Sequence, residues 1–137
     1  MLDHLGLTII DFDRSVAFFD RCLGAVGIRR LLTLLPGQYP GPTRIAGYGY
    51  NRPQFWIGER GQSFWTVAHQ PAASPIHVAF TVESRALVHA FHAAGLAAGG
   101  TDYGAPGLRP HYHPDYYGAF VLDLDGNNIE AVCHAPA

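Results

Sequence analysis

The sequence predicts an α+β fold of two tandem βαβββ modules that form a curved mixed sheet around a cleft. Three observations predict it. "HLGLTIIDFDRSVAFFDRCLG" from residue 4 and "HVAFTVESRALVHAFHAAGLA" from residue 77 both run from a histidine through an apolar strand into a helix carrying phenylalanine. Thr8 and Thr81 each stand four residues after that histidine. Each copy is then followed by short extended stretches bounded by turn formers. Such a recurrence signals a duplicated structural unit.

In the first copy, a strand from His4 to Ile10 leads to a helix over about Asp13 to Leu23. Asp11 or Asp13 can cap it, because a short side-chain oxygen accepts from the free amides of a first turn. Val16, Phe19 and Leu23 share its buried stripe, and Gly24 reads as the stop. "VGIRRLLTLL", "PTRIAGYGY" and "PQFWIGE" supply three further strands, so the first module spans residues 1–60.

The second module, residues 75–134, begins with a strand from Ile76 to Val82. A helix over about Ser84 to Ala94 follows, capped by Ser84 and packing through Val88, Phe91 and Gly95. "YYGAFVLDLDGNNIEAVCH" reads as a hairpin in which Asp125 and Gly126 take the positive φ angles of a primed turn. "DYGAPGLRPHYHPDYYGAF" is expected to be a loop, because its prolines and glycines interrupt regular structure. "GERGQSFWTVAHQPAASP" reads as the linker between the modules.

With 137 residues, 48% of them hydrophobic, the chain can bury a sizeable core. A net charge of −2 with nine scattered basic residues offers no patch for nucleic acid. No apolar run approaches the roughly 20 residues needed to cross a bilayer. "MLDHLG" lacks the basic start and apolar middle of a signal peptide, so a cytoplasmic protein is expected. Cys22 and Cys133 are too few for a disulfide framework and are expected to be buried thiols.

Alternate strand residues share a face, so Gly6 and Thr8 go with His4, and Ala79 and Thr81 with His77. In the last strand, Glu130 is a carboxylate embedded in "NIEAV". Burying it requires a cation, a metal or an arginine such as Arg29, Arg30 or Arg44. His4, His77 and Glu130 together make a donor set for a divalent ion with coordination positions left open.

These residues carry a likeness. On "DHLGLTIIDFDRSVAFFDRCLG", "PIHVAFTVES" and "LDLDGNNIEAV", the chain resembles the vicinal oxygen chelate superfamily, which includes glyoxalase I, fosfomycin-resistance proteins, bleomycin-resistance proteins and extradiol dioxygenases. The resemblance implies that His4, His77 and Glu130 are metal ligands and that the chain is a homodimer. It leaves the ion open among Fe, Mn, Ni, Co and Zn. Laying "NRPQFWIG" over "DGNNIEAV" puts Trp56 where glyoxalase I-like members place a ligand. Indole cannot ligate, so a four-ligand glyoxalase site is not expected. Trp56 reads instead as a substrate wall.

"LRPHYHPDYY" crowds chemistry into few residues. His111, His113 and Tyr116 are the candidate catalytic groups, and Arg109 can clamp a carboxylate or phosphonate. Tyr112 and Tyr117, with Thr8 and Thr81, complete the expected substrate contacts. His69, His89, His92 and His134 read as ordinary surface residues. The leading reading is a metal-dependent enzyme for a small oxygenated substrate, with lyase, isomerase, transferase or dioxygenase chemistry. The alternative is a drug- or metabolite-binding protein of the bleomycin-resistance type, since Trp56, Trp65, Tyr103 and the tyrosines could stack on a planar drug.

Overall fold

The computed structural model describes residues 2–39, 41–59 and 76–136. The expected linker, with Trp65 and His69, lies outside the described residues. The chain divides into two units, residues 1–16 with 28–74 and residues 17–27 with 75–137.

The first unit holds β1 (Leu5–Ile9), β2 (Arg29–Leu34), β3 (Ile45–Gly49) and β4 (Phe55–Glu59) in one sheet of order β1-β4-β3-β2. β1 and β4 run parallel, and the other pairs are antiparallel. Leu7, Ile9, Tyr48, Phe55 and Ile57 are buried, while Gly6 and Thr8 lie on the exposed face of β1.

The second unit repeats the plan. β5 (His77–Thr81), β6 (Thr101–Leu108), β7 (Tyr117–Leu122) and β8 (Asn128–Cys133) form a sheet of order β5-β8-β7-β6, with β5 parallel to β8. Gly6 pairs with Trp56 in the first sheet, and Ala79 pairs with Glu130 in the second. The two ladders thus place Trp56 and Glu130 at equivalent positions, as the repeat predicts.

Helix α1 (Phe12–Cys22) is capped by Asp11, whose carboxylate accepts from the Arg14 amide at 3.1 Å. Asp13 is not the cap, because Arg44 holds its carboxylate. The stop also differs from expectation. A 3-10 turn over Gly24–Val26 prolongs the helix, and Gly27, at φ 83°, takes the left-handed position assigned to Gly24. Phe18, absent from the predicted stripe, is fully buried and meets Phe19 edge-to-face at 5.0 Å.

Helix α2 (Arg85–Ala97) starts at Ser84, whose hydroxyl accepts from the Leu87 amide at 3.3 Å. Val88, Phe91 and Gly95 are buried, and Gly95 brings the helix backbone against Val121 of β7. Cys22 and Cys133 are both buried and free. Burial, reinforced by the charge of Asp123, pushes the Cys22 thiol up.

Two expectations need correction. Residues 101–108 are not a loop but the edge strand β6, with irregular register against β7 between Asp102 and Gly104 and between Gly104 and Gly107. An edge strand tolerates Pro106, whose missing N–H is not needed by a neighbour. The β7–β8 turn is also not primed: among the described residues only glycines have positive φ, so Asp125 does not take that angle. Asp123 organises the turn instead, its carboxylate accepting from the Asp125 amide (2.9 Å), the Asn127 amide (2.8 Å) and the Asn127 side chain (2.9 Å). No helix among the described residues is long and apolar enough to cross a membrane.

Arg44 anchors the first unit. Its guanidinium donates to Asp13 at 2.9 and 3.1 Å and to Glu59 at 2.8 and 3.3 Å, and lies 4.6 Å over the Phe12 ring. It is therefore spoken for and is not the partner of Glu130. These hydrogen bonds hold the Glu59 carboxyl below its ordinary value of 4.5. The folded chain then binds fewer protons at Glu59 than the unfolded chain does, so this contribution is present above pH 4.5 and lost as pH falls through the lowered value. Urea denaturation across the acid range is expected to show this loss, and Arg44→Gln to flatten it.

Candidate metal and substrate site

β8 is an inner strand of the second sheet, and Glu130 stands on it between Ala79 of β5 and Phe120 of β7. Its side chain is 1% exposed. An ionised carboxylate at such a position is costly unless it is paired. Two partners meet it: the Tyr116 hydroxyl donates to Oε1 at 2.7 Å, and His77 Nε2 lies 3.1 Å from Oε2. Burial and the Glu130 hydrogen bond push the Tyr116 phenol up to about 12. At neutral pH Tyr116 therefore keeps its proton and serves as a donor, not as a base. Gly118 makes the room, since a Cβ there would stand 2.7 Å from Glu130 Oε1 and 3.2 Å from the Tyr116 ring.

His77 is half-exposed and fixed from both sides. Its Nδ1 lies 3.2 Å from the Asn128 carbonyl while Nε2 faces Glu130. A neutral imidazole has one N–H and satisfies only one of these acceptors. A second proton, on the ring or on the carboxyl, or a cation held between Nε2 and the carboxylate satisfies both. Metal-binding histidines are oriented in this way, with Nδ1–H on a carbonyl. The His77–Glu130 pair therefore fits a divalent ion as two adjacent donors. Among the described residues, no group of three or more His, Cys, Asp or Glu side chains is arranged to hold one.

Other expected residues gather on the same face. The Phe120 ring is 6.2 Å from His77, and the Arg109 guanidinium is 5.5 Å from Phe120. Tyr112 meets Tyr116 edge-on at 5.2 Å, and His111 stands 4.2 Å from Tyr112. His113, an exposed residue whose Nδ1 accepts from the Asp115 amide at 3.2 Å, is 6.2 Å from His134. Thr81 is exposed on the His77 face of β5.

Tyr117 does not join them. One residue beyond Tyr116, it points to the opposite face, where its hydroxyl meets His89 Nε2 at 2.7 Å and Arg85 lies 4.9 Å over its ring. In the first unit, Thr8 and Gly6 share the exposed face of β1, and the Trp56 ring covers Gly47, whose Cβ would approach it to 2.8 Å. His4 precedes β1, with a 62% exposed side chain and Nδ1 2.8 Å from Asp3.

Two contributors escaped the sequence reading. Phe120 shares the Glu130 face, as Asn128 does by strand alternation, and His134 packs at 5.2 Å against Tyr116 instead of standing free. The hairpin register could have found the first. His92 is not an ordinary surface residue either: its side chain is 12% exposed and its Nε2 meets Asp102 at 3.0 Å.

No protein-family model matches the chain, and no curated protein matches it in sequence. Solved structures do. A glyoxalase/bleomycin resistance protein from Albidiferax ferrireducens is 29% identical over 98% of both chains, with a TM-score of 0.69. A glyoxalase/bleomycin resistance protein/dioxygenase family enzyme from Burkholderia phytofirmans is 19% identical over 98% of both, with a TM-score of 0.71. Glyoxalase I from Zea mays is 19% identical over 97% of this chain and 46% of its own, with a TM-score of 0.67. This chain thus spans about half the maize enzyme. The fold is that of the glyoxalase/bleomycin-resistance/dioxygenase proteins. The resemblance to the vicinal oxygen chelate superfamily seen in the sequence holds in three dimensions.

Gly118→Ala is expected to push Glu130 off its partners and to destabilise the chain by about 1–3 kcal/mol. Thermal denaturation reads the stability, and His77 imidazole NMR shifts read the displaced carboxylate.

Proposed function

We propose that the chain is a metal-dependent enzyme acting on a small oxygenated substrate, with His77 and Glu130 as two ligands of a divalent ion and His4 as the third. The observation that carries this reading is the buried Glu130 carboxylate facing an imidazole whose other nitrogen is held by a backbone carbonyl. When bound, such an ion polarises neighbouring substrate oxygens and stabilises negative charge on them. Tyr116 donates its one proton to Glu130 and so orients the carboxylate. His111 and His113, both exposed, are the proposed proton carriers. Thr8, Thr81, Tyr112 and Trp56 are the proposed substrate contacts, with Arg109 on an anionic group. Trp56 at the position equivalent to Glu130 argues against a fourth protein ligand. A cytoplasmic homodimer belongs to the same proposal.

A second reading, a drug- or metabolite-binding protein without catalysis, is favoured by a specific observation. Glu130 already has two protein partners, and Tyr112 and Tyr116 present an edge-to-face aromatic pair beside it. Metal analysis of protein purified without chelators separates the two. About one equivalent of a divalent ion is expected, lost in His4→Ala, His77→Ala and Glu130→Ala. A folded chain that takes up no ion and binds planar aromatics tightly supports the second reading instead.

A further inference from the structure

We propose that Asp3, anchored by Arg52, is a positioning residue that keeps the His4 proton on Nδ1 and leaves Nε2 open to a ligand. This deepens the proposed function, and rests on that reading only for taking His4 as a member of the site. An ionised carboxylate can only accept hydrogen bonds. Asp3 Oδ1 lies 2.8 Å from His4 Nδ1, so Nδ1 is the donor and carries the proton of the neutral ring. The lone pair then sits on Nε2 of an exposed imidazole, the nitrogen that an ion or a transferable proton would take.

The carboxylate is itself held at its other oxygen. Arg52 Nη2 donates to Asp3 Oδ2 at 2.9 Å. Arg52 comes from the turn between β3 and β4, which the Gln54 amide closes on the Tyr48 carbonyl at 2.8 Å. Gly49 gives that turn its room, because a Cβ there would collide with the Arg52 carbonyl oxygen. The Leu5 amide donates to the Gln54 carbonyl at 2.8 Å and ties the start of β1 to the same turn. Backbone and side chains thus bring Asp3, His4 and Arg52 together from two separate segments. With one oxygen on each neighbour, the carboxylate takes its orientation from Arg52 and passes it to the imidazole.

Two other histidines give the comparison. His77, which heads the second copy of the repeat, also has Nδ1 on an acceptor, the Asn128 carbonyl at 3.2 Å. Both repeat histidines are therefore held at the same nitrogen and present the other. A carboxylate grips a ring N–H more firmly than a carbonyl does. His113 is the opposite case: its Nδ1 accepts from the Asp115 amide at 3.2 Å, so its neutral ring keeps the proton on Nε2. One residue type is set to accept at Nε2 in the first place and to donate there in the second.

Long-range proton–nitrogen NMR of the metal-free full chain tests this at alkaline pH, where imidazole is neutral. His4, assigned by the signals missing in His4→Gln, is expected as the Nδ1–H tautomer and His113 as the Nε2–H tautomer. Asp3→Ala and Arg52→Leu should both move His4 toward the Nε2–H form while His113 stays as it is. Tm should hold in both variants, because the side chains removed are exposed. Calorimetric titration with Zn2+ reads the consequence, and Asp3→Ala should weaken binding about 10–100-fold. A wild-type His4 protonated on Nε2, or a tautomer unmoved by Asp3→Ala or Arg52→Leu, would overturn the proposal. Zinc affinity unchanged by Asp3→Ala, in a chain whose zinc is lost in His4→Gln, would do the same. An Asp3-dependent tautomer in a chain that takes up no zinc upholds the positioning role and overturns the metal reading alone.

Discussion

A carboxylate with 1% exposure on an inner strand is the constraint around which the second unit is arranged. Glu130 needs donors, and Tyr116, just before β7, and His77 of β5 provide them from either side of β8. It needs space, which Gly118 leaves. It also needs the right face. A slip of one residue in β8 would turn it toward the apolar side, where Val121 packs on α2. The register is set at the turn, where Asp123 gathers three N–H groups and its own amide donates to the Asn127 carbonyl at 2.9 Å. A buried aspartate five residues before the start of the strand thus decides where a buried glutamate points.

The duplicated ladders show how one scaffold accommodates two tasks. Trp56 and Glu130 occupy matching positions, one over a glycine floor and the other between two hydrogen-bonding partners. The arginines are divided in the same way. Arg44 neutralises two acids and holds β3, β4 and α1 together, whereas Arg109 is held by neutral carbonyls. A guanidinium pinned by carboxylates has little charge left to offer, and one pinned by carbonyls keeps all of it.

Most of the architecture could be read in advance because it rests on short-range rules. Ser84 and Asp11 cap their helices by an offset of three residues, and Val88, Phe91 and Gly95 follow the helical period. Strand alternation put Glu130 and His77 on candidate faces in the sequence, and the structure sets His77 Nε2 3.1 Å from Glu130 Oε2. The misreadings share one cause, dependence on a neighbour not adjacent in the chain. Tyr116 and Tyr117 are indistinguishable in sequence, yet a strand sends them to opposite faces, one to Glu130 and the other to His89. Gly24 and Gly27 are both plausible stops until the 3-10 turn places one of them at positive φ. His92 looks solvated on its helix, yet its side chain is 12% exposed and meets Asp102 of β6.

The glycine and proline content of β6 has an effect beyond its own sheet. An outer strand with a full row of free amides and carbonyls invites a second molecule to extend the sheet. Here Pro106 deletes one amide and the two breaks in register kink the row, so no straight strand can zip along it. The proline and the broken register of this strand thus guard its border against runaway self-association.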